Sequence, residues 1–237
     1  MKNKKKLIAF DLDGTLTQHR TPLGEQNRKV LEELKKKYNL VMLGAGGAER
    51  IFSQLNGFDI EVIGNYGMQE GRLIDGKFTL TKDEKVTVDK KFFTEQIEYL
   101  RKKYGYETFA GEGIEFHASG MVTFPLLGTK ADIKDKVAFD PTREKRKVLY
   151  PEVLEIFKDF TVYIGGSSSF DFSPKQYNKY DALMDYGKRH GYEKSEILYV
   201  GDDFGDGGGD SHVRIGGIDY VEITDYTRLD EKLAHLL

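Results

Sequence analysis

Asp11 and Asp13 are the residues whose type and spacing best suit chemistry in this chain. They stand in FDLDGTLT (10–17), directly after the apolar run Leu7-Ile8-Ala9-Phe10. A short apolar run bounded by polar sequence reads as a buried strand, and residues at i and i+2 leave a strand on the same side. Two carboxylates placed this way can share a hard cation such as Mg2+. One can also attack as a nucleophile while the other handles protons, the division of labour that an aspartyl-phosphate intermediate needs. Gly14 lets the chain turn sharply behind them. D-x-D-G alone is a common turn sequence, so partners elsewhere in the chain must decide.

A second acidic segment, GDDFGDGGGD (201–210), follows another apolar run at 197–200. Asp202 there is the natural third metal ligand beside Asp11 and the backbone or side chain of Asp13. Mg2+ takes only one or two protein carboxylates, with water and substrate phosphate completing its shell. Asp203, Asp206 and Asp210 read as supporting groups or turn formers. Lys179 opens a helix before this loop and offers a cation to crowded carboxylates and to a phosphoryl oxygen. GAGGAER (44–50) nearly spells G-x-G-x-x-G, but Glu49 stands where the third glycine belongs, which argues against a dinucleotide site. Its exposed N–H groups at Gly46 and Gly47 still suit phosphate.

These loops need elements to hold them. Helical spacing of Val30, Leu31, Leu34 and Tyr38 predicts a helix over 25–38, with strands at 40–43 and 60–63 and a short helix around Ile51 to Leu55 between them. Repeated β-α-β spacing predicts an α/β fold with a parallel sheet covered by helices. Asp75-Gly76 predicts a hairpin. From about residue 82 to 172 the texture is α+β: helices at 92–104 and 143–158, the second interrupted or opened at Pro151, and strands at 114–116, 121–124, 161–164 and 170–172. The β-α-β texture then returns, with a helix at 178–190, strands at 197–200 and 220–223, and a helix after Thr227. The expected organisation is a discontinuous Rossmann-like core, 1–81 and 173–237, split by an inserted α+β cap, 82–172.

Composition sets limits on partners. A chain of 237 residues with 39% hydrophobic and 32% charged residues can build a real core. The net charge is −3 with dispersed Lys and Arg, which does not suit a nucleic-acid surface. The basic run at 2–6 reads as a solvated tail. No cysteine is present, so thiolate metal sites and disulfides are excluded. No apolar stretch reaches the roughly 20 residues of a membrane helix, and the short run at 7–10 is no signal core. A cytoplasmic location is the expectation.

The order FDLDGTLT, glycine turn, Lys179, then GDD…GGGD resembles the haloacid-dehalogenase-like (HAD) phosphotransferases. IEFHASGM (114–121), IGGSSSFDFSPKQYNK (164–179) and GGGDSH (207–212) resemble the eukaryotic-type phosphomannomutase branch, with its mixed α+β (Cof-type) cap. The similarity covers essentially the whole chain. It implies Asp11 as phosphorylated nucleophile, Asp13 as acid/base, Lys179 as phosphate clamp and Asp202 as Mg2+ ligand. It also implies that Arg20, Ser169 and Asp171 face a sugar phosphate, and it allows a homodimer through the cap.

Two departures from the pattern matter. The glycine turn of that family usually carries a Ser or Thr that binds the transferring phosphoryl group, whereas Gly46 and Gly47 carry no hydroxyl. Where the mutases hold the distal phosphate with cap arginines, this chain has His117, Thr129 and Lys136. Arg grips phosphate bidentately, Lys acts as a point charge, and neutral His or Thr is weaker still. A mutase must retain its bisphosphate while that molecule turns over. The expectation is therefore a Mg2+-dependent phosphatase of a small phosphorylated metabolite, for which the resemblance implies a sugar phosphate. A phosphomannomutase-like enzyme and a non-catalytic phosphometabolite-binding protein are the alternatives.

Overall fold

The computed structural model describes residues 4–237. β1 (Leu7–Phe10) pairs in parallel with β2 (Asn39–Leu43), and α1 (Glu25–Lys35) connects them. α2 (Ala48–Gln54) leads to β3 (Glu61–Gly64), again parallel to β2. β4 (Gln69–Ile74) and β5 (Lys77–Asp83) form an antiparallel hairpin. At its tip Asp75 and Gly76 take φ of 51° and 76°, the positive values that a tight two-residue hairpin turn requires.

The next elements form a second compact unit, residues 85–176 with 207–209. They are α3 (Lys90–Tyr104), β6 (Glu115–Phe116), β7 (Val122–Pro125), α4 (Ile133–Phe139), α5 (Glu144–Ile156), β8 (Phe160–Tyr163) and β9 (Ser169–Pro174). Asp89 caps α3 by accepting from the Phe92 N–H at 3.0 Å, and Gly105 ends it with φ of 75°. Among the described residues the four strands form one antiparallel sheet in the order β6-β7-β9-β8. Its core is aromatic: Phe93, Phe124, Phe157, Phe170 and Phe172 are all buried together with Leu149 and Val153.

The chain returns to the first unit with α6 (Lys179–Arg189), β10 (Ile197–Gly201), α7 (Ser211–Ile215), β11 (Asp219–Glu222) and α8 (Leu229–Leu233). Among the described residues the large sheet has seven strands in the order β11-β10-β1-β2-β3-β4-β5, parallel from β11 to β3. β1 is buried on both faces. Ile8 and Phe10 join one hydrophobic cluster, with Leu31, Leu34 and Ile51; Leu7 and Ala9 join another, with Leu183 and Val213. Burial on both faces is why this strand reads as an unbroken apolar run rather than an alternating one.

Several expectations need correction. Lys5 and Lys6 are not a solvated tail, although Lys2 and Asn3 of that run lie outside the described residues. Lys5 Nζ donates to the carbonyls of Ser195 and Ile197, at 2.9 and 2.8 Å, and Lys6 pairs with Glu196 at 2.6 Å. α5 runs through Pro151 instead of breaking there. Proline removes one helical hydrogen bond, but Leu149 and Val153 on either side are anchored in the aromatic core, and that packing outweighs the loss. α4 and α7 escaped the periodicity reading because seven and five residues are too few to show a pattern.

Candidate active site

Parallel pairing brings the carboxyl ends of β1, β2 and β10 to one edge of the sheet, where ligands bind in open α/β folds. The register Phe10↔Val200 places Asp11 beside the start of the second acidic loop, and the Asp11 N–H continues the ladder to the Val200 carbonyl at 2.9 Å. Gly14 has φ of 95°, and a Cβ there would lie 2.4 Å from Asp202 Oδ2. A side chain at position 14 would therefore be strained and would also displace Asp202. Thr15 fixes that carboxylate by donating to Asp202 Oδ1 at 2.9 Å.

Lys179 is the buried centre of the group. Asn178 caps α6 by accepting from the Asp181 N–H at 2.9 Å, which sets Lys179 at the first helical position. Its Nζ donates to Asp11 Oδ1 and to Asp210 Oδ1, each at 2.7 Å, with the lysine side chain 4% exposed. Burial alone would strip its proton, but the two carboxylates overcome this and hold it well above the ordinary lysine value. Oxygens of Asp11, Asp202 and Asp210 lie within 4.8 Å of one another. Burial, with the charges of Asp210 and Asp202 against that of Lys179, pushes Asp11 well above the ordinary range. Burial and Asp210 likewise raise Asp202.

Asp210 differs from its neighbours. It is fully buried and accepts four hydrogen bonds: Lys179 Nζ, the Tyr199 hydroxyl at 2.6 Å, and the N–H groups of Asp202 and Asp203 at 3.1 and 2.9 Å. Burial opposes its ionisation, but Lys179 and these donors win and hold it below the ordinary value. Four donors saturate a carboxylate. Asp210 is thus an anchor for the loop and for Lys179, which leaves Asp11 and Asp202 as the oxygens that fit a hard cation.

Asp13 points elsewhere, so its carboxylate is not part of the converging set. Oδ1 accepts from the Arg20 N–H at 2.7 Å and from Gln54 Nε2 at 2.6 Å, and Oδ2 lies 3.3 Å from Arg50 Nη1. Burial would raise it, but the Gln54 and Arg20 donors and the Arg50 charge hold it below the ordinary aspartate value. Gln54 also donates to Thr17 Oγ1 at 3.0 Å. Arg20 reaches Asp13 through its backbone, at φ of 58°, with its side chain exposed. Neither Gly46 nor Gly47 adopts positive φ; Gly47 sits at −60° as the residue before α2.

In the second unit, His117 and Asp171 are joined through Thr123. The Thr123 hydroxyl donates to Asp171 Oδ1 at 2.8 Å and lies 3.0 Å from His117 Nε2. Burial raises Asp171 against this hydrogen bond and the nearby His117 and Arg146. Ser169 Oγ donates to the Gly165 carbonyl at 3.0 Å. Lys136 stands apart on α4, its Nζ capping the Thr129 carbonyl at 2.8 Å, while Thr129 Oγ1 accepts from the Glu112 N–H. The ammonium expected to meet a phosphate thus spends one of its three donors on the backbone.

Arg50, Gln54 and Tyr199 carried no signal in a single sequence, because their partners are distant along the chain. The long approach of Asp210 to Lys179 was equally hidden.

Comparison with known proteins decides the family. The model for the haloacid dehalogenase-like hydrolases matches residues 8–207. The chain belongs to that family. The phosphomannomutase of Solanum lycopersicum is 31% identical over 89% of this chain and 85% of its own length. That of Encephalitozoon cuniculi is 26% identical over 99% and 96%. Among solved structures, N-terminally truncated IMP-nucleotidase of Plasmodium falciparum aligns with TM-score 0.70 and 17% identity over 99% of this chain and 70% of that one. A haloacid dehalogenase-like hydrolase from B. subtilis aligns with TM-score 0.62 and 16% identity over 98% and 100%. The structural neighbours share the fold: an α/β protein with a mostly parallel, Rossmann-like central sheet. The chain is an enzyme of the hydrolase or mutase type. Among the described residues no helix is long and apolar enough to cross a membrane.

Proposed function

We propose that this enzyme is a Mg2+-dependent phosphatase of a small phosphorylated metabolite, a sugar phosphate by its similarity to phosphomannomutases. The observation that carries the reading is the excess of carboxylate over cation at Asp11, Asp202, Asp210 and Lys179. One ammonium cannot neutralise three carboxylates, and burial, together with that imbalance, raises Asp11 and Asp202. Asp11 and Asp202 would hold Mg2+, whose hard oxygen preference fits this donor set. When bound, the ion keeps these carboxylates ionised and draws charge from phosphate oxygens.

Asp11 attacks phosphorus in line and breaks the bond to the leaving oxygen, while Lys179 keeps the carboxylate oriented. Asp13 serves the leaving alcohol and then the attacking water as acid and base. Held by Gln54, Arg20 and Arg50, it is ionised and ready to accept a proton from water. To protonate the alcohol first, its carboxylate must leave the Gln54, Arg20 and Arg50 donors and take up a proton from solvent, which the attacking water later returns to it.

Hydrolysis is favoured over transfer by the cap residues. His117 is engaged with Thr123, and Lys136 with the Thr129 carbonyl. Lys and His grip phosphate less firmly than the bidentate arginines of the mutases, so an intermediate bisphosphate would escape more readily before transfer. The names of the relatives favour a mutase as the second reading. A panel of phosphorylated metabolites with Mg2+, followed by released phosphate, tests the first. Mannose 1-phosphate and glucose 1-phosphate, with and without a hexose bisphosphate, separate the two. Efficient conversion to the 6-phosphate with little free phosphate would establish the mutase and end the hydrolase reading.

A further inference from the structure

Arg50 lies in the first unit beside the turn that follows β2, and its guanidinium has two distinct sides. Nη1 donates to Gln54 Oε1 at 2.9 Å and lies 3.3 Å from Asp13 Oδ2. Among the described residues, Nη2 and Nε make no hydrogen bond. These two lie over Gly46 so closely that a Cβ there would be 2.1 Å from Nη2 and 2.5 Å from Nε. Glycine at position 46 is thus what gives the guanidinium its place. The side chain is 45% exposed, whereas Lys179 is enclosed by Asp11 and Asp210. Because β1 and β2 are adjacent and parallel, this free edge sits at the same end of the sheet as Asp11 and Asp13.

From this arrangement we propose that Arg50 is a catalytic residue whose Nε and Nη2 donate to the oxygens of the transferring phosphoryl group. The proposal rests on the phosphatase reading of the same site. A planar guanidinium with one edge tied down and a second edge open is a pre-organised fork for a tetrahedral oxyanion. It supplies donor and charge where the turn from Gly44 to Ala48 has no hydroxyl. It also changes what a hydroxyl restored at position 46 would do: a serine there would strike the guanidinium and push the flexible side chain away. At position 47 a Cβ would meet only Gln69 Oε1, at 3.3 Å.

The test uses the Mg2+-loaded protein with inorganic phosphate as probe in calorimetry, and the best substrate of the panel in steady-state assays. Removing a pre-organised oxyanion donor costs about 10²–10³-fold in other enzymes, so Arg50→Ala should lower kcat by that order and weaken phosphate binding at least about tenfold. Arg50→Lys should recover part of both. Gly46→Ser should lower activity in the parent and raise it in the Arg50→Ala background, a reversal of sign between the two. If Arg50 merely positioned Asp13, Arg50→Ala would alter the pH profile of kcat and leave phosphate affinity unchanged, which would overturn the proposal. Unchanged kcat, or no phosphate binding by the parent protein, would overturn it too. Failure of the phosphatase reading looks different: no substrate of the panel turns over, or Asp11→Asn turns over like the parent. In that case the calorimetric comparison still shows whether Arg50 binds phosphate, so the two failures are told apart.

Discussion

Lys179 and Arg146 are both buried cations, one in each compact unit, and they are held by different company. Lys179 stands among Asp11 and Asp210 with Asp202 close by, three acids to one ammonium. Arg146 forms a close ion pair with Asp140, through Nε at 2.9 Å with both side chains 2% exposed, and also lies near the Asp171 carboxylate. Its remaining donors go to backbone carbonyls: Gly165 at 2.7 Å, Gly166 at 3.1 Å, Ser169 at 3.2 Å and that of Asp140 itself. The Asp140 carboxylate also accepts the N–H groups of Lys145 and Arg146, so the pair is closed. Charge balanced within the fold is scaffold. Charge left unbalanced at a strand end is capacity for a ligand, and the two units illustrate the two cases.

The largest test of this contrast is a pair of isosteric changes. Asp11→Asn should remove phosphate release by a factor on the order of 10⁶, the scale seen when other hydrolases lose a nucleophile. Its stability should hold or rise, because one of three crowded carboxylates is gone. Asp140→Asn should do the reverse, costing about 3–5 kcal/mol in urea unfolding by leaving Arg146 without its counter-charge. Folded Asp140→Asn protein that has lost all turnover, or an Asp11→Asn core that no longer folds, would erase the distinction.

Mg2+ sharpens it next. An ion that binds the native state alone at about 100 times its Kd adds about 2.7 kcal/mol, read as a rise in Tm on replacing EDTA with Mg2+. Asp202→Asn should lose most of that rise and Asp140→Asn none of it. An equal rise in both variants would move the metal away from the acidic loop.

The pH dependence should then have opposite signs in the two units. Asp11 and Asp202 are raised, so without metal the folded chain binds protons that the unfolded chain has released. Stability therefore falls as pH rises above the ordinary aspartate value of about 3.9 toward the raised ones. Asp140 is lowered, against burial, by Arg146 and the two N–H donors. Its contribution is present above about pH 4 and is lost as pH falls through the lowered value. In EDTA, the Tm of Asp11→Asn relative to the parent should climb as pH rises above about 4, while the deficit of Asp140→Asn shrinks only below about pH 4. Parallel profiles for both variants would contradict the charge argument.

The same contrast explains what a single sequence could reveal. β1 and β10 were readable because strands buried on both faces are short apolar runs, and Asp11 and Asp202 were readable because they follow those runs directly. Lys179 was readable from its place at a helix start. The closing of the site was not. Asp210 looked like one more acid of a glycine-rich loop until its four donors were seen, two of them on Lys179 and Tyr199. The orientation of Asp13 toward Gln54, 41 residues away, follows from the pairing of β1 with β2 rather than from local pattern. Arg146 and Asp140 were invisible because, apart from each other, they meet backbone carbonyls and backbone N–H groups, which nearly every residue carries.

Tyr199→Phe is the smallest and most discriminating change. Its hydroxyl donates to Asp210 Oδ1, the oxygen that also accepts Lys179, and the ring is fully buried. Phenylalanine keeps the ring and removes one of the four donors on Asp210. A hydrogen bond to a charged acceptor contributes about 1.5–3 kcal/mol, and the lower end applies here because three donors remain. If Asp210 is an anchor like Asp140, the loss should appear as reduced stability, with kcat falling less than about tenfold, under the range of a lost acid–base group. The Mg2+-induced rise in Tm should persist, since Asp11 and Asp202 keep their oxygens. A collapse of that rise in Tyr199→Phe would mean that Asp210 belongs with the metal ligands, and the line between balanced scaffold and unbalanced site would have to be redrawn inside the acidic loop itself.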